Sequence, residues 1–255
     1  MRPSAPLFDA LAAAYDEHFA VPHRAAYDAL AWERLEAVLP ERPGLVVDAG
    51  CGVGRWAERL IAMGHRVIGI EPAAAMARAA RERNPGDQFT LVEGRMEDVE
   101  LEAQADVVMA MGSLQYTSDP EAAIARLASW TRPGGIVLVL VDSLVALAIE
   151  LLRAGKQEEA LERLCTHQGV WQTDGQSADL HLLHRERLET AFTAAALQDV
   201  RSHGLLVGAS VDGRDQLAEA LEEDPEARLS TERELMAFPE LADLGKQLLV
   251  EGRVP

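Results

Sequence analysis

Apolar and polar positions along the chain fall into short runs that switch between two periods. Residues 7–39 place apolar side chains at helical spacing with a break at Val21-Pro22, which predicts one or two helices. Residues 44–49 are a short apolar run ending in an acid, as expected of a buried strand, and a glycine-rich turn follows. A helix is predicted from about 55 to 63, with Gly64 as its C-cap. Residues 66–70 read as a second strand ending at Glu71-Pro72, and 73–83 as an Ala- and Arg-rich helix. Further strands are predicted at 88–92, 106–110 and 136–141, with a helix at 120–130. Strands alternating with helices at this spacing imply βαβ units and a parallel sheet covered on both faces. The right-handed crossover rule then puts the first strand centrally and a ligand at the carboxyl ends of the strands.

After Asp142 the rhythm changes. Residues 143–167 are helical in pattern, and 168–179 form a polar, glycine-containing stretch. Residues 185–196 predict a helix, 200–207 a strand and 246–250 a closing strand. Residues 212–251 carry 12 acids against 4 bases, mostly on helical patterns, and read as a solvated surface. No internal repeat is visible.

The chain has 255 residues and a net charge of −18, from 24 Lys+Arg and 42 Asp+Glu. Hydrophobic residues make up 48%, the mix of a folded chain with a sizeable core. Only two lysines occur, Lys156 and Lys246, and the arginines are scattered, so no basic face for nucleic acid or an anionic membrane is expected. The two cysteines, Cys51 and Cys165, sit in no metal-binding or disulfide pattern, and the N-terminus lacks an apolar secretory segment. A cytoplasmic protein is the expectation. The apolar stretch 134–152 is divided by Asp142-Ser143 and reads as a strand followed by an amphipathic helix, not a membrane span.

The candidate chemistry lies in Val46-Val47-Asp48-Ala49-Gly50-Cys51-Gly52-Val53-Gly54, a G-x-G-x-G turn between a strand and a helix. Glycine lets the backbone turn sharply and approach a ligand closely, and the helix start offers unpaired N–H groups. A dinucleotide site favours G-x-G-x-x-G, yet the residue at that third position is Arg55. Glu71 ends the next strand, where a carboxylate accepts hydrogen bonds from both hydroxyls of a ribose. Gly94-Arg95-Met96-Glu97-Asp98 follows the third strand, where an acid suits an adenine amine and an apolar residue covers the ring. Ala110-Met111-Gly112-Ser113-Leu114 ends the fourth strand.

Together VVDAGCGVGRW, Glu71, GRMEDV, ADVVMAMGSLQY and TRPGGIVLV resemble the class I S-adenosylmethionine-dependent methyltransferases over residues 7–142, and more loosely 184–250. The resemblance implies an α/β fold, a Rossmann-like three-layer sandwich whose seven-stranded, mostly parallel sheet has a reversed last strand. It implies one domain over 1–255, with helices at 1–40 closing over the site and a substrate lid at 143–184. S-adenosylmethionine is the implied cofactor and a small molecule the implied methyl acceptor. Asp48, Ala49, Gly50, Cys51 and Gly52 would shape the pocket for the methionine portion, and Glu71 would hold the ribose. Pro72 and Met76 would line the adenine side; Met96, Glu97 and Asp98 would lie against the base, with Asp98 the best acceptor. Met111 and Gly112 would face the sulfonium. Tyr15-Asp16 and Arg24 match a pattern that closes over the cofactor's carboxylate.

The implied reaction is in-line displacement, in which orientation is the protein's main contribution and a general base is needed only for a protonated nucleophile. His181, His184 and Tyr116 are the candidates on the acceptor side. His181 and His184 lack a third ligand, so no metal is expected. His18 and His23 read as surface residues, Cys51 as a small buried filler, and Trp171 as either a lid residue or an anchor under a loop. Two other readings remain open: a protein that binds S-adenosylmethionine without transferring methyl, and a nicotinamide-dependent oxidoreductase, which the glycine spacing and Asp98 do not fit. The Asn-Pro-Pro-Tyr signature of many nucleic-acid and protein N-methyltransferases is absent.

Overall fold

The computed structural model describes residues 1–173 and 175–255, including every side chain except those of His18 and Arg214. Asp174, within the polar stretch 168–179, lies outside the described residues.

The strands predicted by alternation form one sheet. β1 (Leu45–Ala49), β2 (Arg66–Glu71), β3 (Phe89–Glu93), β4 (Ala105–Met111) and β5 (Thr131–Asp142) pair in parallel. β8 (Gln198–Leu205) and β9 (Gln247–Arg253) complete it, in the order β3-β2-β1-β4-β5-β9-β8. β9 runs antiparallel to both neighbours, so the last strand of the chain is the reversed one. The fold is the expected Rossmann-like sandwich, and β1 is central.

Residue alternation along the strands builds the two cores, because successive side chains point to opposite faces. Val46, Val107, Met109, Leu138 and Leu140 face one layer, with α2 (Pro22–Val38), α3 (Arg55–Ala62) and α10 (Arg214–Glu223) packed on it. Val47, Val108, Ala110, Val137 and Val139 face the other, against α5 (Pro120–Ser129) and α8 (Arg185–Ala194). Both faces of the strands are apolar, so β1, β4 and β5 read as near-continuous hydrophobic runs.

Boundaries shift by a few residues, most at β5, which starts at Thr131 and not 136. The segment expected to be helical over 143–167 holds two helices, α6 (Leu144–Arg153) and α7 (Gln157–Thr166). The polar stretch 168–179 is not a loop. It forms β6 (Gln168–Thr173) and β7 (Gln176–His181), a two-stranded antiparallel hairpin outside the main sheet. Its alternation is short and its polar face dominates, which hid the period of two. α4 (Ala74–Arg83) and α1 (Ala5–Leu11) pack together beyond the glycine turn. No described helix is long and apolar enough to cross a membrane.

The glycine turn is sterically committed at Gly50. Its φ is +86°, and an added Cβ would lie 2.2 Å from the Ser113 Cβ. Left-handed strain and this overlap together make Gly50→Ala cost about 2–3 kcal/mol, read as a fall in the denaturant midpoint.

Candidate cofactor and acceptor cleft

The carboxyl ends of β1, β4 and β5 open into a cleft of about 780 Å³, a size ordinary for small-molecule sites. Gly50, Cys51 and Gly52 form one wall, and Met111 and Gly112 from the end of β4 another. A Cβ built on Gly52 would meet only Tyr15 Cε1, at 3.9 Å, and one on Gly112 would meet nothing within 4 Å. The two glycines therefore leave bare backbone facing open space, a cradle that side chains would fill.

Glu71 is buried where β2 ends, beside this cradle. The Gly52 N–H donates to its Oε2 (2.9 Å) and the Ala73 N–H to its Oε1 (2.8 Å). These bonds fix the carboxylate and leave further lone pairs for a ligand. Burial pushes Glu71 up to about 7, against the pull of the two N–H groups. Asp48, one strand over, is fully buried and neither of its carboxylate oxygens has a partner. Burial, with the Glu71 charge added, pushes it up to about 8.

Several expected site residues line this space: Tyr15, Arg24, Gly50, Cys51, Gly52, Met111, Gly112 and Tyr116 in the cleft, and Glu71, Pro72, Met96 and Glu97 in its narrow extension. Tyr15 is pushed up to about 12 by burial, so its hydroxyl stays a donor. Burial likewise raises Cys51, with Asp48 and Glu71 adding to it; the thiol is no nucleophile and fills space as expected. His23, read as a surface residue, lines the cleft as well. Ala49 is fully buried in β1, and its carbonyl receives the Ser113 hydroxyl.

Five expected residues stand elsewhere. Met76 is fully buried on α4, packed with Leu7, Leu11 and Val53, because its helix turns that face to α1 and not to the cleft. Asp98 points outward with 71% of its side chain exposed, 3.9 Å from Arg95; its neighbour Glu97 is the acid that faces inward. Sequence order alone does not decide which of two adjacent acids a tight turn directs inward. His181 lies on β7 between Leu180 and Leu182, which face the cleft, so its ring points to the other side, toward Arg187 and Glu121. His184 packs edge-on against His167 at 5.3 Å, before α8. Asp16 pairs with Arg83 and Arg55, whereas Tyr15 alone reaches the cleft.

Sequence reasoning expected the N-terminal helices and residues 143–184 to close over the site, but not the contacts that join them. Phe8 of α1 meets Tyr116 at 5.2 Å and Trp171 of β6 at 5.5 Å, both edge-on. The Arg2 N–H and Nε donate to the two Asp179 oxygens on β7 (2.8 Å each). Asp9 accepts the Ala75 N–H at the start of α4 (2.7 Å). These contacts join parts of the chain separated by 66 to 177 residues, and no local pattern signals them. Gln115 and Asp142, which hydrogen-bond each other at the cleft floor, were also missed.

Residues 47–139 match the family model of a methyltransferase domain. This segment is similar to the methyltransferase domain family. It contains the glycine turn, Glu71 and the end of β4. The chain is 37% identical over 95 residues to the malonyl-[acyl-carrier protein] O-methyltransferase of Yersinia pestis, covering 37% of this chain and 35% of that one. It is 36% identical over 96 residues to the trans-aconitate 2-methyltransferase of Paracidovorax citrulli, 37% of each. The chain spans little more than a third of the length of these relatives. The whole fold is similar to a SAM-dependent methyltransferase of Thermotoga maritima, with a TM-score of 0.63, 17% identity, and coverage of 98% and 99%. The likeness in fold therefore extends over the whole chain, while the family model matches 47–139 alone.

Proposed function

We propose that this protein is an S-adenosylmethionine-dependent methyltransferase that acts on a small molecule in the cytoplasm. The observation that carries the reading is the bare-backbone cradle at Gly52 and Gly112 beside the doubly anchored Glu71, within a segment of methyltransferase sequence. Gly50 and Gly52 would approach the methionine portion, Glu71 would hold the ribose hydroxyls, and Met96 and Glu97 would lie along the adenine. S-adenosylmethionine, when bound, supplies a methyl group on a sulfonium, which is electrophilic without further activation. Tyr15 would close the cleft from above. The α1 roof and the β6–β7 hairpin, clasped through Arg2 and Asp179, would exclude water and hold an acceptor in line, which is the chief contribution needed.

The net charge of −18 argues against a polyanionic substrate, although relatives include the tRNA 5-carboxymethoxyuridine methyltransferase of Escherichia coli, 29% identical over 136 residues. His181→Ala and His184→Ala are expected to leave methyl transfer unchanged, because both rings lie outside the cleft; a lost turnover in either variant would return a histidine to the acceptor side. The deciding experiment is calorimetric titration of cofactor-stripped protein with S-adenosylhomocysteine, NADH and NADPH. Micromolar binding of the adenosyl ligand alone is expected. Binding of a nicotinamide cofactor, or of none of the three, overturns the proposal.

A further inference from the structure

We infer that the acceptor end of the cleft is built for a protic, non-anionic head group on an apolar body, and that Asp142 and Gln247 are the residues that read it. The inference rests on the methyltransferase reading and names the substrate class of the same cleft.

Asp142 ends β5, and Gln247 is its register partner at the start of β9. Both line the cleft floor, beyond Met111 and Gly112. The Asp142 carboxylate is oriented by a reciprocal clamp. Gln115 Nε2 donates to Asp142 Oδ2 (3.0 Å), and the Asp142 N–H donates to Gln115 Oε1 (2.9 Å). Gln115 engages one carboxylate oxygen only, and Asp142 remains open to solvent in the cleft. Gln247 is 8% exposed, and its amide oxygen has no hydrogen-bond partner. Burying an acceptor unpaired costs about 1–3 kcal/mol, so its retention at a cleft wall points to a partner that arrives with the ligand.

Three of the cations that line the cleft are already engaged. Lys246 Nζ lies 2.9 Å from Glu150, and Arg163 is 3.4 Å from Glu159 and donates to the Gln168 carbonyl. Arg153 donates to the carbonyls of Ser210 and Asp212. A carboxylate arriving here would meet the Asp142 charge with those cations already occupied. An ammonium or hydroxyl would instead meet two hydrogen-bond acceptors. Phe8, Trp171, Leu180 and Leu182 supply the apolar wall against which its body would pack, and aromatic faces also favour a cation.

Benzylamine, benzyl alcohol and benzoate share one ring and differ in the head group, so they separate the outcomes. Each is titrated into the protein with and without saturating S-adenosylhomocysteine. Benzylamine is expected to bind about tenfold more tightly than benzoate, with the alcohol between them. Asp142→Asn should erase that order by weakening benzylamine about tenfold. Gln247→Leu should weaken the amine and the alcohol while the melting temperature holds or rises; a glutamine with only a structural role would lower melting and leave the probes alone. Benzoate binding as tightly as benzylamine, no probe binding at millimolar concentration, or benzylamine affinity untouched in both variants would each overturn the inference. The S-adenosylhomocysteine titration by itself decides the cofactor reading. The probe order in ligand-free protein still decides this one if that titration fails.

Discussion

Glu71→Gln is expected to lower the affinity for S-adenosylhomocysteine by about 30- to 100-fold. In the native protein both carboxylate oxygens accept backbone N–H groups, from Gly52 and from Ala73. A glutamine keeps the shape but turns one of those oxygens into an NH2 group, which faces an N–H donor with another donor. It also has fewer lone pairs to offer a ribose. Losing one charge-assisted bond and weakening a second amounts to about 2–3 kcal/mol, and each 1.4 kcal/mol is tenfold in affinity. The pH dependence follows from the same group. Burial holds Glu71 near 7, and only the ionised form accepts from both hydroxyls while keeping its backbone bonds. Affinity in the native protein should therefore weaken as pH falls through about 7, approaching tenfold per unit below it, and this dependence should vanish in the variant. Calorimetry at pH 6, 7 and 8 checks both. Equal dissociation constants for variant and parent would place the ribose elsewhere.

Asp48→Asn is expected to stabilise the free protein at neutral pH, by on the order of 4 kcal/mol, while acting inside the same pocket. Burial raises the folded-state value of this carboxyl from 3.8 to about 8, and the nearby Glu71 charge adds to the rise. The folded state thus holds a proton that the unfolded chain releases, so the stability tied to the neutral carboxyl is complete below 3.8 and is lost as pH rises through about 8. At pH 7 the unfolded chain gains roughly three units' worth of ionisation, about 1.4 kcal/mol each, that the folded state forgoes. Asparagine is neutral in both states and nearly the same shape, so it removes that penalty. Urea unfolding from pH 5 to 9 should show the difference between variant and parent widening with pH up to about 8 and then levelling. Taking that difference cancels the contribution of Glu71, which titrates in the same sense. A variant no more stable than the parent at pH 8 would show that Asp48 is ionised in the fold. The residue is thus one that destabilises the free chain, a cost that functional sites commonly carry.

Much of this architecture was legible in the sequence because it depends on local periodicity. β1, β2, β4 and the helices between them follow from apolar runs bounded by glycine and proline, and the crossover rule orders the sheet around β1. The glycine turn and Glu71 were legible for a related reason. Their backbone requirements admit few residue types, so the letters carry the geometry.

The sequence by itself therefore determined the layered sheet, the strand that carries the cradle and the acid that faces it. Only the tertiary structure decided which neighbouring side chain turns inward. It placed Glu97 and not Asp98 in the narrow pocket, sent Met76 into the α1–α4 contact, and turned His181 away between two leucines that face the cleft. It also closed the roof through Phe8, Tyr116 and Trp171, and brought Gln115, Asp142 and Gln247 to one floor. Periodicity fixes the face a residue occupies on its own element. Contacts between elements far apart in the chain are fixed by how the layers pack, where shape and burial choose among partners that the sequence leaves equivalent.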